Sequence, residues 1–138
     1  MVTFCALAFS LPAVAQDAAA SAEDTYKEIE ALTGVVPGFV KMYPKAGIAG
    51  AWHVTRDLLF SESALDMKTK ALISLAVSAQ IPCRYCIWSD TRDALRAGAT
   101  EEEVHEAVAI AGLTRHWSTI FNGYQIDFET FKRELGGE

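Results

Sequence analysis

The stretch that decides the fold runs from Leu65 to Ala111 and reads LDMKTKALISLAVSAQIPCRYCIWSDTRDALRAGATEEEVHEAVAIA. Its first part repeats apolar residues at helical spacing, which places them on one face of a helix. These residues are Leu65, Leu72, Leu75 and Ala79, with Ile73 and Val77 broadening the face. Pro82 ends this helix and suits the first turn of the next one, which carries two cysteines. We therefore expect a helical hairpin formed by residues 65–80 and 82–97.

The rest of the chain also carries helical signals. Gly98 ends the cysteine-bearing helix, and Thr100 with Glu103 has the pattern of a capping box that starts another helix. An apolar stripe follows, made of Val104, Ala107, Val108 and Ala111. No stretch alternates between polar and apolar residues for long enough to predict a strand. The predicted fold class is all-α.

The composition restricts the partners of this protein. The chain has 138 residues, 51% of them hydrophobic, and its 12 basic and 18 acidic side chains give a net charge of −6. This length suits one domain. Because no basic stripe is present, nucleic acid is not an expected partner. The high apolar content leaves surface to be buried elsewhere, and a subunit interface is the first candidate.

The N-terminus differs from the rest of the chain. Residues 1–15, MVTFCALAFSLPAVA, carry no charge and end in an Ala-x-Ala pattern before Gln16. That pattern is typical of a signal peptide, although the first basic residue is Lys27. On this interpretation residues 16–138 form the mature domain, which is periplasmic or secreted. The alternative is an apolar N-terminal helix of a cytoplasmic protein. The run is too short for a stable membrane span.

The cysteine pair is the main candidate for chemistry. Cys83, Cys86 and Asp90 share one face if this segment is helical. Cys83 would lie near the helix N-terminus, whose partial positive charge favours a thiolate, and Arg84 adds positive charge. A thiolate beside a second thiol can attack a peroxide or a disulfide, and the second thiol then closes the bridge.

Two other interpretations of the pair compete with this one. A structural zinc site needs about four ligands. No second CxxC exists, and His105 and His116 lack ligand-like spacing to the pair, so no metal is expected. The other interpretation is that both cysteines are buried as small hydrophobic residues. A redox pair that uses no bound cofactor is the preferred hypothesis.

The quoted stretch resembles the AhpD-like (alkyl hydroperoxidase D-like) branch of the carboxymuconolactone decarboxylase superfamily. LTRHWSTIFNG, residues 113–123, is similar to the continuation found in one subgroup. The resemblance implies a small helical domain that assembles as a trimer or hexamer and reduces hydroperoxides with an external dithiol donor. It also implies that Cys86 meets the peroxide and becomes a sulfenic acid, which Cys83 resolves to a disulfide.

The sequence departs from this branch at its proton relay. The branch has a glutamate twelve residues before the first cysteine and a histidine four residues after the second. Here those positions hold Ala71 and Asp90. Ala71 cannot move a proton. Asp90 could act as a base if burial or thiolate proximity disfavoured its charged form, or it could be a solvated carboxylate paired with Arg84 or Arg92.

The histidines are the remaining candidate bases. His116 is the nearest to the motif in sequence, and its alternative role is that of a hydrogen-bonded structural histidine. His53, beside Trp52, has the same alternative role, and His105 stands among glutamates on an expected solvent face. The predicted function is therefore that of a thiol-dependent antioxidant oxidoreductase with weak activity, with Cys83, Cys86, Asp90 and His116 as site residues. The alternative is a non-enzymatic oligomeric module that keeps the fold with a degenerate relay.

Overall fold

The computed structural model describes the backbone of residues 13–137 and the side chains of residues 21–137. Within that range the chain forms helices α1 (Ala13–Thr33), α2 (Gly38–Met42), α3 (Lys45–Leu59), α4 (Met67–Gln80), α5 (Arg84–Arg96), α6 (Glu101–Gly123) and α7 (Phe128–Glu134). No strand occurs between residues 13 and 137, and the predicted all-α class is confirmed.

Most of the predicted signal peptide lies outside the described residues. Residues 1–12, which include Cys5, belong to this part. Helix α1 begins at Ala13 and continues across the predicted boundary between residues 15 and 16. Removal of residues 1–15 and the location of the mature protein stay predictions.

The chain divides into two compact units, and the first ends at Phe60. In this unit α1 packs on α3. The buried apolar side chains of this unit form one cluster, made of Ala22, Ile29, Val40, Ile48 and Trp52. Arg56 of α3 donates a hydrogen bond to the Glu28 carboxylate of α1, with 2.5 Å between Nη1 and Oε1. This bond holds the pKa of the Glu28 carboxyl below its ordinary value.

The second unit begins at Ser61 and contains the predicted hairpin. Helix α4 packs against both α5 and α6. The buried cluster consists of Leu75, Ala94, Ala99 and Val104, with Ala71, Leu72 and Ile87 packed against it. Gly98 has a φ of 89°, a left-handed conformation that glycine adopts without steric cost and that ends α5 as predicted.

Helix α6 begins with the predicted capping box. The Thr100 hydroxyl accepts the Glu103 N–H, and the Glu103 carboxylate accepts the Thr100 N–H. Lys68 of α4 donates to Glu103 at 2.8 Å and so ties α4 to the start of α6. Farther along, the Gln80 side chain donates to the Ala111 carbonyl at 2.7 Å.

Several predicted core positions are wrong. Leu65 precedes α4 and is 45% exposed, because Asp66 caps the helix and the first helical residue is Met67. Ile73 and Val77 are 50% and 55% exposed, whereas Leu75 is 1% exposed. Leu75 lies two residues from each of them and hence on the opposite side of α4. The helices that pack on α4 cover the Leu75 side and leave the other one open.

The ion pair between α4 and α6 leads to a prediction about pH. The hydrogen bond from Lys68, followed by that from the Thr100 N–H, holds the pKa of the Glu103 carboxyl below its ordinary value of 4.5. The pair therefore stabilises the folded state above pH 4.5, and this contribution is lost as the pH falls through the lowered pKa of the folded state. Glu103→Gln should be less stable than the wild type at pH 7, and the difference should shrink below pH 4.5.

Chemical denaturation at pH 7 and at pH 3 measures this difference in the free energy of unfolding. Glu102→Gln removes one charge from the same helical turn and is the matched control. It should show a smaller dependence on pH. An equal gap between wild type and Glu103→Gln at both pH values would contradict the assignment.

Candidate redox site

The cysteine pair is built at the N-terminus of α5. Helix α5 begins at Arg84, and Cys83 is its N-cap residue with φ −83° and ψ 91°. The Cys83 sulfur accepts the Cys86 N–H at 3.2 Å, as an N-cap side chain does. The Cys83 N–H donates to the Ser78 carbonyl at 3.0 Å, which anchors the start of α5 to α4.

The boundary of α5 differs from the prediction by one or two residues. Pro82 was expected in the first helical turn, but it lies in the turn between α4 and α5. An N-cap residue needs an extended backbone and a side-chain acceptor. Cys83 supplies both, because its ψ is 91° and its sulfur accepts a helix N–H. The first cysteine is therefore at the helix end rather than inside the first turn.

The two cysteines form a disulfide. The Cys83 and Cys86 Cα atoms are 5.3 Å apart, within the usual range for such bonds. Both residues are half-buried. The structure thus contains the oxidised form of the pair.

Asp90 lies one helical turn after Cys86 and is half-buried. The Ser74 hydroxyl of α4 donates to its Oδ2 atom at 2.9 Å. Arg84 and Arg92 are the candidate partners of Asp90 from the sequence, but their guanidinium groups lie near aromatic rings instead. The Arg84 guanidinium lies 5.4 Å from the centre of the Tyr85 ring, and the Arg92 guanidinium lies 4.5 Å from the centre of the Trp88 ring.

Ser74 is the residue that the sequence interpretation missed. It stands in an apolar helix, where a lone hydroxyl group is a weak signal. Its position three residues after Ala71 puts both on one face of α4. Ala71 itself is half-buried and packs against the cluster around Leu75. The position at which the AhpD-like branch has glutamate therefore packs against the core here.

The histidines lie on exposed helix surfaces. His116 of α6 is exposed, and its ring contacts the edge of Trp117 with 5.2 Å between ring centres. His105 is exposed on α6, and His53 is exposed on α3 in the first unit. The structure brings Cys83, Cys86 and Asp90 together on α5. A catalytic role of His116 stays a prediction.

The surface beside the cysteines is aromatic and basic. Tyr85, between the two cysteines, is 77% exposed, and Trp88 is 65% exposed. A shallow groove on the outer side of α5 is lined by Arg84, Ile87, Trp88, Thr91, Arg92 and Leu95. Among the side chains that the structure describes, no group of three or more His, Cys, Asp or Glu residues is arranged to hold a metal ion.

Fold and site together define an all-helical domain with a CxxC disulfide at the start of the second helix of a hairpin. Residues 48–126 match the profile of the carboxymuconolactone decarboxylase family, and the chain belongs to this family. The crystal structure of the alkylhydroperoxidase AhpD core from Rhodospirillum rubrum matches with a TM-score of 0.70 and 27% sequence identity. The match covers 91% of this chain and 96% of that chain. The chain is an AhpD-like member of the family.

A second relative is known by sequence. It is described as uncharacterized protein 4 in the cox locus of Paracoccus denitrificans, and it is 37% identical to this chain over 70 residues. The match covers 51% of this chain and 63% of that protein, so this chain spans less than two thirds of the relative's length.

The N-cap role of Cys83 can be tested in the reduced protein. A serine hydroxyl is a good N-cap acceptor and alanine has none, at a typical cost of about 1 kcal/mol. Under reducing conditions, Cys83→Ala should therefore be less stable than Cys83→Ser by about 1 kcal/mol. Denaturant unfolding in the presence of excess dithiol measures the difference.

The same pair of changes at Cys86 is the control, because Cys86 is not at the cap. Cys86→Ala should be as stable as Cys86→Ser or slightly more stable, because alanine is the better helix former. A Cys83→Ala variant as stable as Cys83→Ser would show that the side chain at position 83 does not cap α5 in the reduced protein.

Proposed function

We propose that this protein is a thiol-dependent antioxidant oxidoreductase that reduces hydroperoxides or exchanges disulfides through Cys83 and Cys86. The observation that carries the proposal is the disulfide between these residues at the N-terminus of α5. It occurs in a fold shared with the core of a protein named as an alkylhydroperoxidase. An external dithiol supplies the electrons, and no bound cofactor is required.

The proposed cycle has three steps. One cysteine thiolate attacks the terminal oxygen of the hydroperoxide, the O–O bond breaks, and the sulfur becomes a sulfenic acid while the alkoxide takes a proton and leaves as an alcohol. The second thiol attacks the sulfenic sulfur, and water leaves as the disulfide forms. A dithiol donor then reduces the disulfide through a mixed disulfide and delivers two electrons and two protons.

The helix N-terminus supports the first step. The backbone N–H groups at the start of α5 and its partial positive charge stabilise a thiolate there, and the Cys86 N–H points at the Cys83 sulfur. Tyr85 and Trp88 give a donor or substrate an apolar surface next to the disulfide. The carboxylate of Asp90 adds negative charge on the same face, and we propose slow turnover for this reason.

The proposal includes assembly into a homo-oligomer, a trimer or hexamer. Large apolar side chains are exposed on the subunit, and water-exposed apolar groups of this kind favour association. On α4 and α6 they are Ile73, Val77, Val108, Ile110, Leu113 and Trp117. None of the described helices combines the length and the apolar character that a membrane span requires. Location in the periplasm or outside the cell, the alternative being the cytoplasm, also belongs to the proposal.

One observation supports a second function. Ala71 places a methyl group in the core where the AhpD-like branch has its glutamate. A chain without that group could be a non-enzymatic oligomeric module whose cysteine pair is a local crosslink.

A peroxidase assay separates the two functions. Hydroperoxide consumption is followed with several dithiol donors for the wild type, Cys83→Ser and Cys86→Ser. Each single variant should lose multiple turnover, because the disulfide cannot close. Each remaining thiol should still form one sulfenic acid that dimedone traps and mass spectrometry locates. Cys5→Ser is the matched control and should keep the wild-type rate.

The enzymatic proposal fails if the wild type consumes peroxide no faster than both single variants with every donor. It also fails if the disulfide resists reduction by dithiols that reduce other exposed protein disulfides. Those results would favour the non-enzymatic module.

A further inference from the structure

Ser74 makes an unusual hydrogen bond for a hydroxyl group within a helix. Such groups ordinarily donate to a backbone carbonyl about one turn earlier in their own helix. Several threonines of this protein do so, namely Thr25, Thr33, Thr55, Thr114 and Thr119. Ser74 donates instead to the Asp90 carboxylate of the neighbouring helix, at 2.9 Å. This bond joins α4 to the face of α5 that carries the cysteines.

The bond restricts the Asp90 side chain. It engages Oδ2 and thereby holds the carboxylate in one position between two packed helices. Ser74 therefore fixes the place of this carboxylate on the face of α5 that carries the cysteines.

Asp90 can affect Cys86 in two ways: as a base that takes the thiol proton, or as a charge that opposes the thiolate. The acid strengths of carboxylates and thiols decide between them. Aspartic acid side chains generally release a proton about four to five pH units below cysteine thiols. Transfer of the thiol proton to an aspartate is therefore unfavourable by about 10⁴ to 10⁵. A carboxylate four residues along a helix is a close neighbour, about 5–6 Å away between Cβ atoms, and its charge disfavours a thiolate.

Cys83 has the opposite surroundings. Its sulfur accepts the Cys86 N–H at the helix N-terminus, where a negative charge is favoured. It precedes Asp90 by seven residues, or about 10 Å along the helix axis. The carboxylate thus acts mainly on Cys86, and the helix end acts mainly on Cys83.

We propose that Ser74 is a positioning residue that fixes the charge of Asp90 beside Cys86, and that this arrangement assigns the attacking thiolate to Cys83. The assignment rests on the proposed function. It reverses the order that the AhpD-like resemblance implies. The Cys83 thiolate attacks the hydroperoxide and becomes the sulfenic acid, and the alkoxide leaves as the alcohol. The Cys86 thiol then attacks the Cys83 sulfur, water leaves, and an external dithiol reduces the disulfide.

Several other charged groups on the packed helices have partners of their own. Lys68 of α4 binds Glu103 of α6, Lys70 of α4 donates to the Ser61 carbonyl, and Arg115 of α6 donates to Gln80. On α5, Arg84 and Arg92 lie over aromatic rings, and Asp93 is 3.8 Å from both Arg92 and Arg96. The exposed titratable residues of α6 are Glu101, Glu102, His105, Glu106 and His116. Asp90 is the carboxylate that a bond from α4 fixes on the cysteine face of α5.

The test measures thiol ionisation without any need for peroxidase activity. Reduced protein is alkylated with iodoacetamide between pH 5 and pH 10, and peptide mapping separates the labelled cysteines. In the Cys83→Ser background, Asp90→Asn should lower the midpoint pH for alkylation of Cys86 by about one unit. Ser74→Ala should shift it in the same direction by less, and Ser74→Thr, which keeps the hydroxyl, should restore the original value.

The Cys86→Ser background is the matched control for distance. There Asp90→Asn and Ser74→Ala should move the Cys83 midpoint by less than half as much as they move that of Cys86. The midpoint pH for alkylation of Cys83 in the Cys86→Ser background should be lower than that of Cys86 in the Cys83→Ser background. At pH 7, dimedone should trap sulfenic acid on Cys83 at least about threefold faster than on Cys86, since a thiol that ionises one pH unit lower gains about tenfold in thiolate and loses about threefold in nucleophilicity.

The proposal is overturned if Asp90→Asn leaves the Cys86 midpoint unchanged or raises it, or if Cys86 ionises at lower pH than Cys83. Circular dichroism checks that each variant folds. If Ser74→Ala does not fold, the alkylation midpoints of wild type, Ser74→Thr and Asp90→Asn still decide the outcome. A failure of the proposed peroxidase function gives a different result. The two cysteines are then alkylated in the expected order of pH, but no peroxide is consumed.

Discussion

The packing around Leu75 holds the cysteine-bearing part of the molecule together. Leu75 of α4 is 1% exposed and lies in one cluster with Ala94 of α5, Ala99 of the following turn and Val104 of α6. Replacing a buried leucine by alanine typically costs about 2–5 kcal/mol, which is a large share of the stability of a small domain. The small side chain of Ala94, which is fully buried, allows α5 to approach α4 closely. That close approach lets Ser74 reach Asp90 and lets the Ser78 carbonyl accept the Cys83 N–H.

The cysteine pair lies at one helix end. The N-terminus of α5 supplies backbone N–H groups and partial positive charge, and Cys83 occupies the cap position where these act most strongly. The position that holds glutamate in the AhpD-like branch holds Ala71 here, and this residue packs against the cluster around Leu75. Ser74, one turn farther along α4, donates a hydrogen bond to Asp90 of α5.

The exposed apolar residues are the physical basis of the proposed assembly. Ile73 and Val77 lie on the side of α4 away from Leu75, and they are about half exposed. Trp117 of α6 is exposed and stacks on Phe121. A composition that is 51% hydrophobic leaves such surface on a subunit of this size. Burial between copies of the chain would remove it from water without any change in the fold.

The sequence by itself determined the helical class, the hairpin, the capping box at Thr100 and the cysteine pair near a helix start. These are local properties, because apolar spacing, proline, glycine and cap residues act within a few positions of the chain. Only the tertiary structure decided which side of α4 is buried, since Leu75 and Ile73 are equally apolar and differ only in the helices that cover them. It alone decided that Cys83 caps α5 and that Asp90 is bound by Ser74 instead of a nearby arginine. A partner sixteen positions away along the chain comes within hydrogen-bond distance only when two helices pack, and no local pattern contains that information.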